Sequence, residues 1–138
     1  MSARTKARKR ALDVMYAAEI QQAATTEVLA THEGSAQHEF NPYVEQIVTG
    51  VSQHSARIDE LLETYSTGWS LDRMPDVDRN ILRIGVWELL YTDVPDEAVI
   101  SEAVALASDL STDDSPKFVN GLLSKVSAVK EHLVLGDG

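Results

Sequence analysis

The run Asp78-Arg79-Asn80-Ile81-Leu82-Arg83-Ile84-Gly85-Val86-Trp87-Glu88-Leu89-Leu90-Tyr91 decides the fold. At about 100° per helical residue its apolar side chains point in nearly every direction, so no single solvated face is left. A helix that is apolar all round must be surrounded by other helices. This stretch is therefore expected to be the central packing element of an all-α protein. Gly85 would let a neighbouring backbone come close, and Trp87 fits a core position better than a partner-facing one. Asp76 and Asp78, at the start of the run, suit the positive end of a helix dipole.

Amphipathic stripes lie on both sides of this centre. Upstream, Asn41-Pro42 reads as an N-cap followed by a first-turn proline. Val44, Ile47, Val48 and Val51 then recur at helical spacing, and Ile58, Leu61, Leu62 and Tyr65 form a further stripe. Periodicity leaves open whether a turn near Ser55 separates the two. Residues 31–41 read as a polar loop after a short helix from Thr25 to Ala30, and residues 67–75 as a connection with one turn of helix after Ser70. Downstream, Val94-Pro95-Asp96 ends the central helix and caps another, whose face carries Val99, Ile100, Ala103, Val104, Leu106, Ala107 and Leu110. Ser115-Pro116 reads as the N-cap pair of a last helix that buries Val119, Leu122, Leu123, Val126 and Val129. Gly136-Asp137-Gly138 reads as a frayed end. The expected architecture is one domain over residues 1–138, a bundle of about seven helices with short connections.

Composition narrows the function. A chain of 138 residues can bury a single substantial core. No apolar run approaches the roughly 18 residues of a membrane span, and no hydrophobic signal core follows the basic start. A cytoplasmic protein is expected. The absence of cysteine removes disulfides, thiolate nucleophiles and cysteine-ligated zinc. His32, His38, His54 and His132 lack metal-ligand spacing, and Asp72, Asp76 and Asp78 are explained by a helix start. No glycine-rich phosphate loop is present and no serine is paired with a base. The reading is a protein with no catalytic residue, no metal and no cofactor.

The charge distribution points to a nucleic-acid partner. Five of the twelve basic residues (Arg4, Lys6, Arg8, Lys9 and Arg10) lie within seven positions, and no Asp or Glu occurs before Asp13. Residues 11–138 hold the other seven against all twenty-two acids. Clustered cations neutralise RNA or DNA phosphates with release of counterions. The cluster leads into Ala11, Leu12, Met15 and Ala18, an apolar stripe that mounts it on a helix docked to the body. Lys6, Lys9, Arg10 and Asp13 fall opposite that stripe, with Tyr16 near Lys9 in angle. Arg4 and Arg8 share the apolar angle and are expected to project past the core at the helix's free end. The plainer alternative is a solubilising terminus. A second candidate is the last helix start, where Lys117, Phe118 and Asn120 bring a cation, a ring and an amide to N–H groups that attract anions. By spacing alone, a core Phe118 beside an exposed Lys117 is the simpler reading.

Four runs together resemble the NusB transcription antitermination family. They are Ala7-Arg8-Lys9-Arg10-Ala11-Leu12-Asp13-Val14-Met15-Tyr16, Asp78–Leu89, Asp93-Val94-Pro95, and Asp114-Ser115-Pro116-Lys117-Phe118-Val119-Asn120-Gly121-Leu122-Leu123. The likeness spans essentially the whole chain. It implies an all-α fold of two packed three-helix bundles. It also implies binding of boxA RNA in ribosomal RNA leader transcripts together with NusE, a small-subunit ribosomal protein. In that family the pair nucleates a complex on RNA polymerase that suppresses Rho-dependent termination. By position, Arg4, Lys6, Arg8, Lys9 and Arg10 inherit RNA contact, with Tyr16, Lys117, Phe118 and Asn120 next. Asp78 and Glu88 are the expected NusE contacts. Thr5 and the mixing of Lys with Arg depart from an arginine-rich run, and Lys lacks Arg's bidentate fork. The acidic body would suit a basic ribosomal protein, and RNA affinity is expected to rise when NusE binds. The resemblance is compatible with a homodimer. Two rivals are a helical interaction module without specific RNA readout and the RNA-binding domain of a ribosomal RNA methyltransferase. A chain ending at residue 138 without a cofactor domain speaks against the latter.

Overall fold

The computed structural model describes residues 2–33, 41–67 and 69–133. Among these it holds seven α-helices: α1 Ala3–Gln21, α2 Thr25–Glu33, α3 Pro42–Gln53, α4 Ser55–Tyr65, α5 Asp76–Tyr91, α6 Asp96–Leu110 and α7 Ser115–Val129. Single turns of 3-10 helix cover Leu71–Arg73 and Lys130–His132. The chain divides into two compact units, Met1–Gln53 and His54–Gly138.

The first unit is α1, α2 and α3, each packed on the other two. Its core is the α1 stripe Ala7, Ala11, Leu12, Val14, Met15 and Ala18 against Val28 and Leu29 of α2 and Val44, Ile47, Val48 and Val51 of α3. Small residues at positions 7, 11 and 18 of α1 let neighbouring helices approach, and burial of each larger aliphatic contributes about 1.5–3 kcal/mol. Ser2 caps α1, its Oγ accepting from the Thr5 N–H at 3.1 Å and lying 2.8 Å from Thr5 Oγ1. Thr5, the odd residue within the basic run, is thus part of the cap. At the other end Gln22 turns into the left-handed region (φ 53°) and its N–H bonds the Ala18 and Glu19 carbonyls. Asn41 caps α3 as expected, accepting from the Tyr43 N–H at 3.1 Å. Its side-chain amide also donates to the Ala3 carbonyl at 3.0 Å, which ties the α3 start to the α1 start. The expected polar loop begins later than the sequence suggests, because α2 continues to Glu33; residues 34–40 lie outside the described residues, as does the expected frayed end at 136–138.

The second unit is built around α5, which packs on α4, α6 and α7. Ile81, Leu82, Ile84, Val86, Trp87 and Leu89 are all buried, so Trp87, 7% exposed, is a core residue. An ideal Cβ on Gly85 would lie 2.8 Å from Leu123 Cδ1, which is the close helix approach that glycine permits here. The question left open near Ser55 is answered by His54, whose φ of −110° and ψ of 18° break α3 from α4. The His54 ring stacks on Tyr91 with centroids 3.8 Å apart. On α6 the buried set is Val99, Ala103, Leu106 and Ala107, while Leu110 is exposed.

Polar side chains lock the helix ends of this unit. Arg83 makes a two-pronged pair with Asp59, at 2.9 and 3.1 Å, joining α5 to α4. Arg79 donates to the Leu71 carbonyl at 3.0 Å and so holds the connection before α5. Lys130 donates to Asp96 and to the Leu89 carbonyl, fastening the ends of α7, α6 and α5 together. Burial pushes the Asp96 carboxyl up, but hydrogen bonds from Lys130 and Ser127 and the Lys130 charge outweigh it and leave the group below its ordinary value.

Candidate nucleic-acid interface

Four of the five clustered cations are at or near the α1 surface. Arg4 and Lys6 are exposed, and Lys9 and Arg10 are half-buried. Arg4 places its guanidinium 5.4 Å from the centre of the Tyr43 ring, a cation–π contact that holds its stem while the charge still faces solvent. Arg8 is the exception. It is 3% exposed and engaged by other groups of the protein, so it does not project beyond the core. One residue shared between a cationic run and a buried stripe must take one role, and at position 8 packing wins.

The outward side of α1 continues beyond the cations. Lys6, Lys9, Asp13, Tyr16 and Ile20 follow at three- and four-residue steps, which place them along one face. Tyr16 is 49% exposed, as the sequence reading required, and Ile20 is more exposed still. The first turn of α1 contains no acidic residue. Cations at the positive end of a helix dipole work against helix stability by about 0.3–1 kcal/mol each. Helix stability therefore does not explain Arg4 and Lys6 in the first turn, and an anionic ligand would relieve them.

The α7 start differs from its sequence reading in one detail. Ser115 is the first helical residue and not the cap, and Asp114 in the cap position makes no side-chain cap bond. Ser115 Oγ turns inward and donates to Asp78 Oδ2 at 2.8 Å, while Ser111 Oγ donates to Asp78 Oδ1 at 2.5 Å. The buried Asp78 carboxylate of α5 thus fixes the α6–α7 corner from inside.

Asp78 and Glu88, the expected NusE contacts, are both buried, so the structure places them inside the fold and not on its surface. Past the exposed Asp76 of the first turn, a helix apolar all round leaves its acids no outward side; where α5 ends, Thr92 Oγ1 donates to the Glu88 main-chain carbonyl at 2.7 Å.

Beyond that corner α7 presents Lys117 and Asn120 as exposed residues and Phe118 as half-buried. The three do not form one site. Phe118 lies in a cleft of about 370 Å³ with Thr67, Asp114, Gly121 and Lys125. Asn120 lines a wider groove of about 710 Å³ with Glu97, Ile100, Ser101 and Val104 of α6. Lys117 is the ridge between them and borders both. On a helix, positions 118 and 120 are about 160° apart, so ring and amide serve opposite sides.

Trp69 is a further candidate that no helical pattern in the sequence marks. It is 43% exposed, and its ring leans on Phe118 with centroids 5.1 Å apart and planes at 56°. The available signal was a tryptophan in a polar connection, where no helical stripe claims it. Among the described residues no group of His, Asp and Glu could hold a metal ion, and no helix is long and apolar enough to cross a membrane.

Residues 5–128 match the NusB family profile. The chain belongs to the NusB family. Its likeness to the transcription antitermination protein NusB of Arthrobacter sp. (strain FB24) is 56% identity over 135 residues, covering 97% of this chain and 99% of that protein. Among solved structures, Thermotoga maritima NusB superposes with a TM-score of 0.83 at 27% identity, covering 96% of this chain and 99% of that one. The NusB chain in a crystal structure of the antitermination factors NusB and NusE with double-stranded RNA gives a TM-score of 0.82 at 27% identity, with 94% and 98% covered. The all-α NusB fold expected from the sequence is the fold found.

Proposed function

We propose that this chain is a NusB-type transcription antitermination factor. It binds boxA RNA of ribosomal RNA leader transcripts together with NusE and joins the complex on RNA polymerase that suppresses Rho-dependent termination. It acts by binding and not by catalysis, in the cytoplasm where those transcripts are made. Residues 1–138 act as one RNA-binding domain of two compact units. The observation that carries the reading is the α1 face: solvent-facing cations at a helix's positive end, with no acid among them. Family membership supplies the RNA and the partner.

Arg4, Lys6, Lys9 and Arg10 are the proposed phosphate contacts, with Tyr16 on the same face. Lys117 and Phe118 form the second contact, and Asn120 serves the α6 side of Lys117. Arg8 acts by holding α1 in place. The NusE face lies outside Asp78 and Glu88. The acidic body keeps RNA from other surfaces through like-charge repulsion and suits a basic partner.

A transcription reaction on a boxA-containing template with Rho tests this. Adding the chain together with NusE should raise read-through above that with either alone. Unchanged read-through with both present would favour the other reading, a helical interaction module without specific RNA readout.

A further inference from the structure

We propose that Trp69 is a base-stacking residue of the RNA site, and that the cleft over Gly121 seats one unpaired base with its phosphate beside Lys125. This rests on the RNA-binding reading above and extends it to three residues outside the family-derived set.

The first observation is the contrast between the two tryptophans. Trp87 is buried, whereas Trp69 stands 43% exposed on a connection with no helix of its own. The exposed ring is nevertheless held. Lys125 Nζ donates to Thr67 Oγ1 at 3.0 Å, and Ser66 Oγ bonds the Trp69 carbonyl, so the connection is fastened to α7 on one side of the ring and closed on itself at the other. The tilted contact with Phe118 makes a two-ring surface whose geometry is set before any ligand arrives. Pre-set aromatic surfaces are what sequence-tolerant recognition of unpaired bases uses.

The second observation is Gly121. A glycine inside a helix costs stability of about 1 kcal/mol against alanine, so a packing reason is expected. Gly85 has one in the closeness of Leu123. Gly121 has none, since an ideal Cβ there would meet nothing within 4 Å. The missing side chain leaves the floor of the cleft flat beside Phe118, at a volume of about 370 Å³ that is within the usual ligand range. Charge then orients the occupant. Asp114 stands at the α7 start end of the cleft and repels phosphate there, while Lys125, about three turns on, has only a neutral hydroxyl partner among the described residues. A base on the rings with its phosphate at Lys125 meets both conditions.

Full-length protein titrated with single-stranded boxA RNA tests this, with affinity read from the anisotropy of labelled RNA and stacking from tryptophan fluorescence. Wild type should show quenching that Trp69→Phe abolishes. Trp69→Ala should weaken binding about tenfold, with Trp69→Phe retaining most of the affinity because a ring remains. Lys125→Gln should make the log–log salt slope about 0.7 shallower. Gly121→Gln, whose Cβ position is open, should fold as wild type and bind more weakly. Wild-type binding with unquenched fluorescence and unchanged affinity in Trp69→Ala and Gly121→Gln would overturn this inference while leaving the antitermination reading intact. Quenching by NusE and not by RNA would reassign the cleft to the protein partner and likewise overturn it. No RNA binding by wild type, with or without NusE, would overturn both.

Discussion

Helices α1 and α5 carry the two most recognisable runs of this chain, and their charges do opposite work. In α5 the charged residues beyond the exposed Asp76 of its first turn are turned into the fold. Asp78 holds the Ser111 and Ser115 hydroxyls, Arg83 grips Asp59, Arg79 secures the connection at Leu71, and Glu88 is buried. In α1 the charges are turned out, with only Arg8 drawn into the core. A conspicuous charged motif is therefore no guide by itself to a binding surface. What separates the two cases is the apolar pattern around the charges. The α5 pattern leaves no outward side, and the α1 stripe leaves one.

That contrast can be broken or sharpened by substitution. The largest expected effect is on α5. Asp78→Ala should cost about 3 kcal/mol of unfolding free energy in urea, because a buried, charged hydrogen-bond acceptor serving two hydroxyls is lost. A loss below about 0.5 kcal/mol would mean that Asp78 is not the corner's anchor and would reopen its reading as a surface contact. Next is Gly85→Ala, where the added methyl meets the buried Leu123 at 2.8 Å. Overpacking of about 1–3 kcal/mol is offset by roughly 1 kcal/mol of helix propensity, so a net loss near 1 kcal/mol is expected by the same measurement. A gain in stability would show that α5 and α7 are not in close contact at Gly85.

The smallest effect concerns the pinned end of α6. The folded state holds the Asp96 carboxyl below its ordinary value of 3.8. A depressed folded value stabilises the protein fully above the unfolded value, and that contribution fades as pH falls through the folded one. The stability difference between wild type and Asp96→Asn should therefore be constant from pH 5 to 7 and shrink below about pH 4. A difference that grew on acidification would contradict the Lys130 and Ser127 contacts.

The fold was nearly all present in the periodic pattern. The all-round apolar run, the helix stripes and the cap at Asn41 suffice to place the helices, because burial and capping are local and repeat along the chain. Three features were not, each because it depends on contacts between distant residues. Arg8 has the composition of a contact and the angle of a core residue, and only the packed neighbours decide. Ser115 reads as a cap by position, yet its hydroxyl is drawn to a carboxylate 37 residues earlier in the chain. Trp69 belongs to no stripe, so its role depends wholly on Phe118 reaching it. Phe118 and Asn120 are close in sequence but do not share a face, because two residues along a helix turn through about 200°.

Burial of Arg8 makes truncation of the basic run a poor test of RNA binding. Removing residues 1–10 would take out Ala7 and Arg8 from the core, so lost binding could reflect lost structure. The direct measurement is the salt dependence of boxA RNA binding by wild type and by the variant in which Arg4, Lys6, Lys9 and Arg10 are all replaced by Gln. Four phosphate contacts on single-stranded RNA contribute about −2.8 to the log–log slope. The variant is expected to fold as wild type and to have a slope shallower by about that amount. A folded variant with the wild-type slope would contradict it, and α1 would then be a solvated end and not an RNA-binding surface.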